Sequence, residues 1–259
     1  MTTHPAYGEL RQVTDSAAVL LEHNPSAMTL EGTNTWLLRA PGEKACVVVD
    51  PGYEDEPHLN RVAEAAGEVA MILVTHHHPD HVQGAPWLAR RVHAPIRAWD
   101  EALCADAPHL TDDEVVEAAG LSIQVLHTPG HTEDSVCLAV DGTVLTGDSV
   151  LGRGTTVISD LGAYLTTLRR LTTVSPATMA LPGHGPELPD LATTAAEYLT
   201  HREARLDQVR AALRELGQTA SARQVVEVVY KDVDESLWGP AEWSVQAQLA
   251  YLRTTGEAR

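Results

Sequence analysis

The stretch Thr75-His76-His77-His78-Pro79-Asp80-His81 constrains this chain more than any other. It directly follows the apolar run Ala70–Val74, which reads as a buried strand. A strand that delivers four imidazoles and a carboxylate into one loop points to an architecture whose strand ends carry a polar site. The HxHxDH spacing puts His76 and His78 on one side of an extended turn. Asp80 and His81, at the start of the next helix, can then face a second ion. Pro79 occupies a spacer position and biases His78 toward extended backbone.

Three further residues sit in turns of the same kind: His131 in HTPGHT, Asp148 in TGDS and His184 in LPGHG. Each turn holds a glycine, which lets backbone approach closely. Neutral imidazoles and carboxylates suit Zn²⁺, Mn²⁺ or Fe, and a carboxylate can bridge two ions. A lone histidine is more often a surface or core residue than a ligand. That reading is given to His4, His23, His58, His77, His93, His109, His127 and His201. For the other five, one dense motif and three separate turns would have to match together by chance.

Charge limits the partners. The chain of 259 residues carries 18 basic and 36 acidic side chains, for a net charge of −18. Of these, 10 basic and 27 acidic fall in residues 1–200, against 8 and 9 afterwards. The acidity therefore belongs to the ligand-bearing part and disfavours non-specific attraction to nucleic acid or anionic membrane. No stretch approaches the roughly 20 apolar residues that span a bilayer, and the start MTTHPAYGEL lacks the regions of a signal peptide. A cytoplasmic location without membrane association is expected. Cys46, Cys104 and Cys137 show no CxxC spacing and are expected to be ordinary thiols.

Strands are expected at Asn34–Leu38, Cys46–Val49, Met71–Thr75, Leu121–His127, Ser135–Val140 and Thr143–Thr146. Helices are expected at Glu54–Ala66, Val82–Val92 and Leu161–Thr173. From about Pro189 a long helix runs through Leu216, then come Ala222–Tyr230 and Glu242–Thr254. The division expected is a catalytic domain over 1–188 and a small helical domain over 189–259.

The HxHxDH segment with His131, Asp148 and His184 resembles the metallo-β-lactamase superfamily. MTLEGTNTWLL, LGRGTTVISDL, PGHGP, YLTHRE and WSVQAQLAYLRTTGE are similar to the β-lactamase-like protein 2 family over nearly the whole chain. The resemblance implies an α/β fold, an αββα sandwich with a small winged-helix-like C-terminal domain. It also implies two divalent ions, Zn first, with Mn or Fe compatible. One would lie on His76, His78 and His131, the other on Asp80, His81 and His184, with Asp148 bridging. Asp80 would in addition orient the attacking water. Under the usual two-metal scheme the centre would keep a formal charge of about +1, which attracts phosphate locally.

The function expected first from the resemblance is endoribonuclease action on single-stranded RNA. Thioester hydrolysis of a carrier-protein, coenzyme A or glutathione conjugate is the alternative, and a non-catalytic nucleic-acid-binding module the third. A β-lactamase is expected least, because of Asp148 and the missing export signal. Arg153, Thr155 and Thr156 are candidates for substrate contact, and Tyr198, His201 and Arg202 for lining the cleft. The near-neutral helical module fits dimerisation or substrate cover at least as well as nucleic-acid binding.

Overall fold

The computed structural model describes residues 7–175 and 177–258. His4 lies outside them. One sheet of six strands runs in chain order: β1 (Leu10–Gln12), β2 (Ala17–Leu21), β3 (Asn34–Leu38), β4 (Ala45–Val49), β5 (Glu68–Leu73) and β6 (Ile96–Arg97). It is antiparallel as far as β4 and parallel from β4 to β6. The second sheet contains β7 (Val115–Ala118), β8 (Leu121–His127), β9 (Val136–Val140), β10 (Thr143–Gly147) and β11 (Met179–Pro182), in the order β11-β10-β9-β8-β7. Only its β10–β11 pair is parallel.

Period-two burial on both faces builds the layers. In β4, Val47 and Val49 enter a core between the sheets with Trp36, Ile123, Leu138 and Leu181. Cys46 and Val48 point the other way, toward Leu59, Val62 and Leu88. Those three come from α1 (Glu56–Ala66) and α3 (Ala85–Val92). The outer face of the second sheet, through Cys137 and Val144, packs on Tyr164, Leu168, Val209 and Val245. The helices there are α4 (Leu161–Leu171), α5 (Leu191–Leu216), α6 (Ala222–Val229) and α7 (Trp238–Thr254). The result is the expected αββα sandwich with helices at its C-terminus.

Leu191, Ala195, Tyr198, Arg202, Leu206, Val209 and Leu213 repeat at three and four along α5, so one stripe of a 26-residue helix is buried. Asp190 caps its start, accepting from Thr193 N, and Gly217 ends it at φ 99°. The module beyond residue 188 thus shares one apolar cluster with the second sheet.

The expected helix Val82–Val92 is in fact two. The short α2 (Pro79–Val82) stops before Gly84, and α3 starts after it. Gly84 N donates to Gly52 O at 2.8 Å, and a Cβ at Gly84 would sit 2.6 Å from Tyr53 O. Close backbone contact there sets the angle at which α2 presents Asp80 and His81. The strand expected at Met71–Thr75 is also displaced, because Thr75 N bonds to the Asp50 side chain and leaves the ladder. All three cysteines are free, Cys46 and Cys137 buried and Cys104 half-buried. No helix among the described residues is long and apolar enough to cross a membrane.

Candidate metal centre

Four strand ends deliver the ligand residues to one edge of the sandwich. His76 and His78 follow β5, with Asp80 and His81 on α2. His131 follows β8, Asp148 follows β10 and His184 follows β11. His78 has φ −62° and ψ 141°, the extended backbone that Pro79 imposes.

The side chains form two clusters, His76, His78, His131 and Asp148 in one, and Asp80, His81 and His184 in the other. In the first, His78 Nδ1 lies 3.0 Å from both His76 Nε2 and His131 Nε2, which are 3.3 Å apart. In the second, His81 Nε2 and His184 Nε2 are 3.3 Å apart, and Asp80 Oδ2 is 3.2 Å from His184 Nε2. Asp148 reaches both: Oδ2 is 3.7 Å from His131 Nε2, and Oδ1 is 3.5 Å from His81 Nε2 and His184 Nε2.

Outer bonds fix which nitrogens face inward. His81 Nδ1 donates to Asp50 Oδ2 at 2.8 Å, His131 Nδ1 to Val157 O at 2.7 Å, and His184 Nδ1 to Gly32 O at 3.1 Å. The Thr75 hydroxyl donates to Asp50, so its oxygen accepts from His76 Nδ1 at 3.0 Å. Each Nε2 is left with a lone pair aimed into the centre. Donors about 2.0–2.1 Å from a tetrahedral ion stand roughly 3.3 Å apart, close to the spacings found here. Asp148 Oδ1 is buried without a hydrogen-bond partner, and a Cβ at Gly183 would lie 2.7 Å from it. The donor set fits two divalent cations.

Electrostatics divides the centre. Burial and the charges of His81 and His131 hold His76 well below the ordinary imidazole range. Burial and His131 bring His78 down to about 4, and burial lowers His131 against the pull of Asp148. Burial opposes charge at His81 and His184 as well, yet Asp148 and its neighbouring carboxylates outweigh it and raise both. Burial likewise works to raise Asp80 and Asp148, but His184 and His81 hold both low. The three imidazoles of the first cluster are held toward their neutral, ligating form, while in the second the carboxylates favour positive charge at the ring nitrogens, which a bound cation would supply.

Asp50 is the residue that sequence reasoning missed. It directly follows β4 at φ 52°, with Oδ1 accepting from Thr75 N at 2.8 Å and Oδ2 from Thr75 Oγ1 at 2.7 Å and from His81. The signal was present as an acid after VVV and before Pro-Gly, which also reads as an ordinary turn.

A cavity of about 730 Å³ opens over the centre, lined by His78, Asp80, His131 and Asp148 together with Met28, Tyr53, Val157, Ile158 and Trp243. None of Arg153, Thr155, Thr156, Tyr198, His201 and Arg202 lines it. Arg153 pairs with Glu31. Thr155 and His201 are exposed. Thr156 Oγ1 lies 3.0 Å from His131 Nδ1, and its carbonyl accepts from Arg202. Tyr198 donates to Gly154 O at 2.6 Å. Thr156, Tyr198 and Arg202 thus brace the loop beside the centre from behind. His77, the histidine set apart from its neighbours, turns away to pair with Asp134 at 2.7 Å.

Two facing sheets, helices outside them and seven donors at their shared edge define a metal hydrolase. Residues 28–184 match the family model described as the metallo-beta-lactamase superfamily, and the chain belongs to that superfamily. Residues 221–259 match the beta-lactamase associated winged helix domain. The beta-lactamase-like protein 2 homolog of Drosophila melanogaster is 34% identical, over 96% of this chain and 91% of its own. An atrochrysone carboxyl ACP thioesterase of Aspergillus chevalieri is 32% identical, over 90% of this chain and 79% of its own. The crystal structure of a beta-lactamase domain protein from Burkholderia ambifaria superimposes with a TM-score of 0.84 at 25% identity, covering 99% of this chain and 91% of that one.

Proposed function

We propose that this hydrolase cleaves thioesters of apolar acyl groups. The observation that carries the reading is the cavity over the metal centre: its described lining contains no lysine or arginine, and Met28, Tyr53, Val157, Ile158 and Trp243 give it an apolar wall. A single-stranded RNA needs cations along its path to offset phosphate charge. Here the catalytic part is strongly acidic as well. A neutral acyl group meets neither obstacle. The Aspergillus relative, named for thioester hydrolysis on a carrier protein, supports the reaction class.

The seven side chains would hold two divalent ions, which supply Lewis acidity and bring the pKa of water toward neutrality. The protein's own contribution is orientation. Asp80, kept ionised by His184 and His81, faces the cavity and accepts a hydrogen bond from the attacking water. The Nδ1 bonds of His76, His81, His131 and His184 hold the rings in place through the reaction. The new C–O bond forms at the acyl carbon, the C–S bond breaks, and a thiol and a carboxylic acid leave.

The test compares decanoyl-N-acetylcysteamine, an uncharged thioester, with a fluorogenic single-stranded RNA, using wild type and Asp80→Ala supplied with Zn²⁺ or Mn²⁺. Thioester turnover that falls by about a hundredfold or more in the variant is expected. RNA cleavage that vanishes in the variant, with no thioester turnover, would overturn the proposal in favour of the nuclease.

A further inference from the structure

Helix α7 presents two faces. Val245, Leu249 and Leu252 are buried in the apolar cluster beneath the second sheet. Trp243, Gln246, Ala247 and Ala250, spaced at i, i+3, i+4 and i+7, form one stripe along the cavity that holds the metal centre. Trp243 is 57% exposed and Met28 45%, and Tyr53 is exposed as well. These three large apolar side chains sit at one opening instead of being scattered, which marks a surface made to be covered. What covers it must be apolar and must reach the centre, since the same cavity is lined by His78, Asp80, His131 and Asp148.

We propose that α7 is the acyl-selecting wall of the enzyme, with Trp243 at the mouth as the platform for the acyl chain and Ala247 and Ala250 leaving the room it fills. This rests on the thioester reading for the bond that is broken, but not for the group that is bound. The C-terminal module then acts in specificity: a larger residue on the alanine stripe shortens the chains accepted, and loss of the indole removes the preference for long ones.

The experiment measures kcat/KM of the metal-loaded full chain for acetyl, hexanoyl and decanoyl thioesters of N-acetylcysteamine, in wild type, Trp243→Ala and Ala250→Trp. Wild type is expected to gain about threefold to fourfold per methylene until the cavity is full. Both variants are expected to lower the decanoyl-to-acetyl ratio by about tenfold or more. Both positions are exposed, and circular dichroism checks that each variant is folded. Calorimetry with the decanoyl amide, in which NH replaces sulfur, reads binding without turnover, and both variants should weaken it about as much as they lower the ratio. Wild type that binds the amide but turns over no thioester would sink the reaction and leave the wall standing. An unchanged ratio with unchanged amide binding would overturn the wall while leaving the reaction. A dimer that Trp243→Ala dissociates, with acyl preference unaltered, would also overturn it and assign the patch to a second copy.

Discussion

At the residue scale, Asp50 organises the centre without facing it. Its carboxylate takes the Thr75 amide and hydroxyl and the His81 Nδ1–H. In Asp50→Asn one oxygen becomes a donor that must face existing donors, so the orientation of His81 loosens. The expected loss of Zn²⁺ affinity is about tenfold to a hundredfold in competition with a chelator; unchanged affinity would show that the ring is held by packing alone. His58 carries a pH prediction. It is buried, its Nε2 lies 2.9 Å from the Thr35 hydroxyl, and burial, with the charge of Arg61, lowers it to about 4. It stays neutral in the fold while the unfolded chain protonates it below about 6.5. Its contribution is therefore complete above pH 6.5 and is lost as pH falls toward 4, on the order of 3 kcal/mol in all. His58→Gln should lose less stability than wild type across that window in urea titrations, and parallel curves would refute the assignment.

At the element scale, burial alone did not make a strand legible: β2 is buried at every position and was not among the expected strands. The strands β3, β4, β9 and β10 could be read as mostly apolar runs bounded by turn residues, and β8 by the alternation of buried Leu121, Ile123 and Val125 with exposed Ser122 and Gln124. By contrast β1 is half-exposed and β6 spans two residues, so neither has a pattern of its own. The break between α2 and α3 is marked locally by Gly84 and Pro86, but its angle depends on Gly52 and Tyr53, some thirty residues away in the chain. The ligands were legible because four crowd the HxHxDH segment after one strand and the other three each sit in a glycine-bearing turn beside a strand. The cavity was not, since Met28, Tyr53 and Trp243 meet only through tertiary packing. The role of α5 is likewise tertiary. Arg202, over the Tyr164 ring at 5.2 Å, donates to the carbonyl of Thr156, and the neighbouring Val157 carbonyl holds His131. Arg202→Met keeps the apolar stem but frees that loop. Metal affinity is expected to drop by about tenfold with only a small change in melting temperature; an unaltered affinity would show that the loop holds itself.

At the scale of the whole molecule, the centre is a joint between layers. His76, His78, Asp80 and His81 come from the first sheet's edge, and His131, Asp148 and His184 from the second's, with Asp148 facing both clusters. Ligand geometry and sheet packing are thus one property, and any cation bound there ties the sandwich together. This edge is expected to hold two cations, with Asp80 a ligand of the second. Metal content should be counted by elemental analysis after saturation with Zn²⁺ and removal of excess, in wild type and in Asp80→Ala. Two ions per wild-type chain and one per variant chain are expected. One ion or none in wild type, or two in the variant, would contradict a two-cation centre with Asp80 as a ligand.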